Sequence, residues 1–261
     1  MPRGAAVSSA APDRPITVEV CCGGVADALA AEEGGAGRVE LNAALPLGGL
    51  TPTVAAVEAV RRMTGLQVVA MARPRAGGFC YGDADWSQLL AEVDALLAAG
   101  AHGVAFGCLT PEGAVDVARV REVVGRAHAA GAEAVFHRAF DLVPDADGAT
   151  AILAGVGVDR LLTGGQAPTA PEGAGLIAHL QAAWGGRVQV LPGSGVRPGN
   201  AAALVAETGV GQVHSSCSGF VTAPGAAAVA HGVDFSVPGC GPERLPCVDP
   251  GTVRELVAVL R

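Results

Sequence analysis

Short, nearly continuous apolar runs alternate along this chain with longer segments in which apolar residues return at helical spacing. Runs of the first kind suit strands buried on both faces, and segments of the second kind suit helices with one buried stripe. Strands are expected at 16–21, 38–42, 67–73 and 102–107, in a run that ends at His137, and at 160–163, 188–191 and 212–214. A helix is expected after each. Leu89, Leu90, Val93, Leu96 and Leu97 make the stripe of the helix at 85–99, and a helix at 252–260 closes the series. Pro52 is expected at the first position of the second helix, with Thr51 before it as the cap.

A repeated phrase turns this alternation into a fold. Gly35-Ala36-Gly37-Arg38-Val39, Gly100-Ala101-His102-Gly103-Val104, Gly131-Ala132-Glu133-Ala134-Val135, Gly157-Val158-Asp159-Arg160-Leu161 and Gly209-Val210-Gly211-Gln212-Val213 each close a helix and open a strand. Glycine suits the left-handed turn between the two elements. The phrases are spaced by one or two βα units. Strand and helix in strict alternation predict an α/β fold, a single-domain (β/α)8 TIM-type barrel over 16–261. Residues 1–15 are expected to be a disordered tail, small, polar and without the apolar stretch of a secretory signal. Residues 220–251, rich in Gly and Pro, are expected to form a long loop before the last helix, either a lid over the mouth or an arm for self-association.

Composition narrows the partners. The chain has 261 residues and a net charge of -8. With no block of basic residues, nucleic acid and anionic membrane are disfavoured, and no apolar run is long enough to span a bilayer. A cytoplasmic protein is expected, and no nucleotide cofactor is indicated. The seven cysteines form no C-x-x-C pair, so free thiols in a reducing compartment are expected.

The candidate chemistry lies at the strand ends. Val135 and His137 share one face of the fifth strand, so His137 looks inward at the end where barrel ligands bind, and Arg138 and Asp141 fall in the exit loop. A core histidine beside a paired Arg138 and Asp141 fits the same stretch. Glu19 and Cys21 share a face, as do Arg38, Glu40 and Asn42; Arg73, Thr163 and His214 end other strands. Glu19, Glu40, Arg73, His137 and His214 are expected to converge on the mouth, as a pocket or as a satisfied internal network. Gly193, Ser194 and Gly195 after strand seven, with Ser215 and Ser216 after strand eight, offer the small residues of an anion-binding loop. Cys21, Cys22 and Cys80 also lie near strand ends, although adjacent Cys21 and Cys22 point to opposite faces of a regular strand. No lysine stands at a strand end to form a Schiff base.

Glu19-Val20-Cys21-Cys22, Arg38-Val39-Glu40-Leu41, Gly48-Gly49-Leu50-Thr51-Pro52, Arg73-Pro74-Arg75, Phe79-Cys80-Tyr81, Phe136-His137-Arg138-Ala139-Phe140-Asp141, Leu162-Thr163-Gly164-Gly165-Gln166 and Val213-His214-Ser215-Ser216 together resemble the copper homeostasis protein CutC family, from about 18 to 219. The resemblance implies a (β/α)8 barrel, cytosolic residence, self-association as a homo-oligomer and a role in copper handling, with Cu(I) held by cysteines. Asn42 stands where the family pattern implies cysteine, and Gly78 where aspartate is frequent, which leaves Cys21, Cys22 and Cys80 as the candidate metal ligands. The alternative is a TIM-barrel enzyme on a small anionic or phosphorylated metabolite. Its candidate residues are Glu40, Arg73, His137, Arg138, Asp141 and His214, with Glu40 or His137 moving a proton and Arg73 or Arg138 steadying negative charge.

Overall fold

The computed structural model describes residues 15–222, 236–241 and 243–261. Eight parallel strands, β1 (Thr17–Cys22), β2 (Arg38–Leu41), β3 (Gln67–Met71), β4 (Gly103–Phe106), β5 (Glu133–Phe136), β6 (Arg160–Thr163), β7 (Gln189–Pro192) and β8 (Gln212–Ser215), form one sheet. Its order is β7-β6-β5-β4-β3-β2-β1-β8. Because β8 pairs with β1, the sheet curls until β7 and β8 face each other, and the result is the expected (β/α)8 barrel, nearly closed. Around it lie α1 (Val25–Gly34), α2 (Val54–Met63), α3 (Asp83–Ala98), α4 (Val117–Ala129), α5 (Ala146–Val156), α6 (Ala174–Trp184), α7 (Pro198–Thr208) and α8 (Pro250–Val259).

The repeated glycines do what the phrase implied. Gly35, Gly100, Gly131, Gly157 and Gly209 all have φ between 71° and 91°, where a β-carbon would strain the backbone. The start of α2 corrects an expectation. Its cap is Thr53, whose hydroxyl accepts from the Ala56 amide, and Pro52 lies before the helix. Thr51 instead donates to Glu92 and accepts from the Arg73 amide, tying the loop after β2 to the loop after β3.

Strand alternation splits the barrel wall. Val18, Val20, Cys22, Val39, Leu41, Val104, Phe106, Phe136, Leu161 and Val213 face outward into the core shared with the helices. Inside, the buried apolar cluster is only Val69, Met71, Ala105 and Val135. Beside it and Leu162 lie Glu19, Arg38, Glu40, Arg160, Gln212 and His214, a polar content unlike the branched apolar filling usual in such barrels.

Beyond β8, β9 (Ser218–Thr222) and β10 (Arg244–Val248) form an antiparallel ribbon. Its base is fixed to α1, where the Val248 amide donates to Asp27 Oδ1. The tail expected at 1–15 falls, apart from Pro15, outside the described residues, as do 223–235 of the expected lid or arm. Among the described residues no helix is long and apolar enough to cross a membrane.

Candidate functional site

The polar lumen has two layers. In the lower one, Glu19 on β1 takes an ion pair from Arg38 on β2 and a hydrogen bond of 2.7 Å from Nδ1 of His214 on β8. Arg38 Nη2 and Arg160 Nε both donate to Gln212 Oε1, at 2.6 and 3.1 Å, and Arg160 Nη2 reaches Glu133 at 2.9 Å. Five strands thus contribute to one buried chain of partners. Burial alone would raise the Glu19 carboxyl, but the His214 bond and the Arg38 charge outweigh it and hold the group well below the usual carboxylate range.

Above this layer a cavity of about 160 Å3 opens at the C-terminal end of the barrel. Cys21, Glu40, Gly48, Met71, Arg73, Phe79, His137, Arg138, Leu162 and His214 line it. Of the five residues expected to converge, Glu40, Arg73, His137 and His214 line it, joined by Arg138 from the exit loop, while Glu19 sits one layer below, behind His214.

His137 is held by its neighbours. Its Nδ1 accepts from the Ala139 amide at 3.1 Å, so the ring proton is on Nε2. Phe79 lies against the ring with centroids 4.8 Å apart. Gly107 leaves the ring its space, since a β-carbon there would come within 2.4 Å of Cε1. Burial, together with the nearby Arg73 charge, pushes the imidazole down to about 3. It is neutral at ordinary pH.

Arg73 reaches its place from the loop after β3. Nη1 donates to the carbonyls of Leu47, Gly48 and Gly49, and Nη2 to that of Gly77. These bonds fix the guanidinium without neutralising it, for Arg73 makes no ion pair among the described residues. Its Cζ lies 5.1 Å from the Phe79 ring centre.

Glu40 Oε2 accepts from Asn42 Nδ2 at 3.0 Å. Burial raises its carboxyl from the ordinary value, against the opposing pull of His214. Burial likewise pushes the Cys21 thiol up to about 11. His214 is raised despite its burial, because Cys21, Glu19 and Glu40 favour the imidazolium. Three buried polar atoms of the lining, Glu40 Oε1, Arg73 Nε and His137 Nε2, have no hydrogen-bond partner among the described residues.

Other sequence-derived candidates lie elsewhere. Asp141 pairs with Arg138 at 2.7 Å and accepts from Thr163 and from the amides of Gly164 and Gln166, so it staples the loops after β5 and β6. Gly193, Ser194, Gly195, Ser215 and Ser216 are absent from the cavity wall. Ser194 donates its hydroxyl to Pro168 O and Ser215 to Val196 O, while Ser216 Oγ bonds to Ser218 on the surface. Of the three thiols, the structure brings only Cys21 to the cavity. Cys22 points outward into the helix core, as strand alternation requires, and Cys80 is exposed in the loop that Arg75 organises.

Cys21, Glu40 and His214 each offer a ligand atom within 4.8 Å of the others. Met71 and Leu162 were legible as inward positions by alternation. Phe79 and Gly107 were not legible as supports of His137, because one comes from an irregular loop and a glycine shows no partner in sequence.

The CutC family model matches residues 16–219. The chain belongs to the CutC family. A CutC family protein of Treponema denticola is 42% identical over 76% of this chain and 80% of its own length. One of Chromobacterium violaceum is 44% identical over 78% of this chain and 82% of its own. Among solved structures, the putative copper homeostasis protein CutC of Streptococcus agalactiae superposes with a TM-score of 0.73 at 26% identity, covering 77% of this chain and 98% of that one. The CutC match ends at the ribbon that follows β8, while every residue of the cavity wall lies within it.

Proposed function

We propose that this CutC barrel is an enzyme acting by proton transfer on a small anionic, oxygen-bearing metabolite held at the mouth. The observation that carries this is that Glu40, Arg73 and His137, each with a buried polar atom (Oε1, Nε and Nε2) that has no hydrogen-bond partner among the described residues, line one cavity. Buried polar groups are nearly always paired, and on this reading a ligand supplies the missing partners. Two of the three are donors, one of them on the Arg73 guanidinium, which makes no ion pair among the described residues, so on this reading the ligand brings acceptor oxygens and negative charge. Glu40 is the group placed to move a proton, and its raised carboxyl is a stronger base than an exposed one once ionised. The test is a melting-temperature screen with short carboxylates. Oxalate or pyruvate raising the midpoint, with the shift lost in Arg73→Met, supports the reading; no shift with any of them removes it.

A second reading is favoured by the Cys21, Glu40 and His214 cluster. Glu19 on the Nδ1 side of His214 leaves Nε2 to face a metal, an arrangement typical of histidine ligands. Through it the barrel would hold copper, as the name of the Streptococcus agalactiae relative suggests. The donor set is one thiol, one imidazole and one carboxylate, with Asn42 Nδ2 3.5 Å from Cys21 Sγ where the family pattern implies a second thiol. Such a set suits zinc or Cu(II) better than a pair of thiolates on Cu(I). Anaerobic competition of the reduced protein against a Cu(I) chelator, repeated with zinc and with Cys21→Ala, decides. Stoichiometric binding lost in the variant supports this reading, and binding equal in both removes it.

A further inference from the structure

Resting on the proton-transfer reading of the cavity, we infer that the site enolises a short, unphosphorylated 2-oxo acid, with His137 Nε2–H bonded to the substrate carbonyl and Glu40 receiving the proton from the adjacent carbon. Four features of the molecule lead there.

The first is the state of His137. With Nδ1 taking the Ala139 amide, the ring can only donate at Nε2, and Phe79 and Gly107 prevent it from turning. It is therefore no base. A neutral imidazole donor aimed into a cavity stabilises an oxyanion, as the neutral histidine of triosephosphate isomerase does, and charge that grows on a carbonyl oxygen is what such a donor meets.

The second is amine chemistry. All 17 basic residues of the Lys and Arg class are arginine, so the chain contains no lysine. An imine between a side-chain amine and a substrate carbonyl has no residue to form it. The carbonyl must be polarised by hydrogen bonds or by a metal instead.

The third is size. The cavity of about 160 Å3 matches the roughly 150 Å3 pocket that accommodates benzene, a ligand of about six non-hydrogen atoms. A short oxo acid fits within such a volume, its carboxylate toward Arg73 and its carbon end against Met71 and Leu162.

The fourth is that, among the described residues, the loops that grip phosphate in other barrels stand outside this cavity wall. Barrels commonly grip phosphate with the loops after strands seven and eight. Here the hydroxyls of Ser194 and Ser215 are donated to backbone carbonyls, and neither loop contributes Gly193, Gly195 or a serine to the wall.

The step balances without a further reactant. The C–H bond beside the carbonyl breaks, the proton passes to Glu40 Oε1, and the bonding pair forms a C–C double bond while the carbonyl pair moves onto oxygen. The enolate oxygen keeps its bond from His137 Nε2–H, with the Arg73 charge nearby. Return of a proton from Glu40 to carbon restores the oxo acid.

The experiment uses the full chain, treated with EDTA, and pyruvate in D2O, with the methyl proton signal followed by NMR. Catalysed loss of that signal is expected. It falls at least ~100-fold in His137→Ala and in Glu40→Gln, and returns in part in His137→Gln, which restores an N–H donor. Oxalate, a planar mimic of the enolate, inhibits the exchange, and inorganic phosphate does not. Exchange unchanged by His137→Ala overturns the inference, as does phosphate binding more tightly than oxalate. Pyruvate or oxalate that raises the melting temperature without any exchange overturns enolisation and leaves the oxyanion site standing. If neither one binds, both readings fall together.

Discussion

The two layers of the barrel lumen are built from the same residue types and behave as opposites. Glu19 below and Glu40 above are both fully enclosed carboxyls on neighbouring strands. Glu19 has a cation on each side, and its charge is stabilised. Glu40 has an amide, a thiol and one bare oxygen, and burial disfavours its charge. The difference between the two carboxyls, Glu19 in the lower plug and Glu40 above it, is one of partners rather than of burial: both Glu19 oxygens meet cationic side chains, whereas Glu40 Oε1 meets none among the described residues.

The largest effect should come from breaking the lower layer. Glu19→Gln strands two buried cations, and a loss of about 3–5 kcal/mol in denaturant unfolding is expected. A loss under ~1 kcal/mol would show that the plug contributes little. Gly107→Ala should follow, at roughly 1–3 kcal/mol, because the new β-carbon falls on the His137 ring and on Ala139. The same variant should lose the oxalate-induced rise in melting temperature, since the Nε2 donor moves.

His137 sharpens the contrast through pH. Its imidazole is lowered to about 3 from an unfolded value near 6.5. Between those values the unfolded chain binds a proton that the folded one refuses, so stability is fully present above pH ~6.5 and falls as pH drops, by at most ~1.4 kcal/mol per unit from this group. His137→Gln should flatten the stability profile between pH 6 and 4 when both proteins are unfolded in urea; an unchanged slope would mean the imidazole is protonated in the fold. The smallest effect is reserved for Glu40→Gln, within about 1 kcal/mol of the parent or slightly above it, because a neutral amide suits that position. A large loss there would move Glu40 into the plug.

The sequence shows these layers unequally. Alternation within β1 and β2 places Glu19, Cys21, Arg38 and Glu40 inside and sends Cys22 outward, so the lining is legible wherever a strand is regular. The glycine phrases reveal the barrel because each occupies the same turn. Partners are another matter. Nothing in the run from Pro192 to Val196 tells that Ser194 spends its hydroxyl on Pro168, or near Thr51 that Thr53 is the cap. Those outcomes depend on distances between loops that only the closed barrel brings together. The expected pairing of Arg138 with Asp141 was readable as an alternative because the two are close in sequence, whereas the Phe79 ring on His137 joins separate βα units.

Seven backbone ladders join the strands of the barrel, and between β7 and β8 none is formed among the described residues. Gln212 bridges that gap instead, donating from Nε2 to Gln189 Oε1 at 3.3 Å and to Val190 O at 3.5 Å while its Oε1 receives both arginines of the plug. With the Ser215 hydroxyl, which donates to Val196 O just beyond β7, this side-chain amide holds the seam together. The one seam without a backbone ladder among the described residues thus runs along β8, the strand that carries His214.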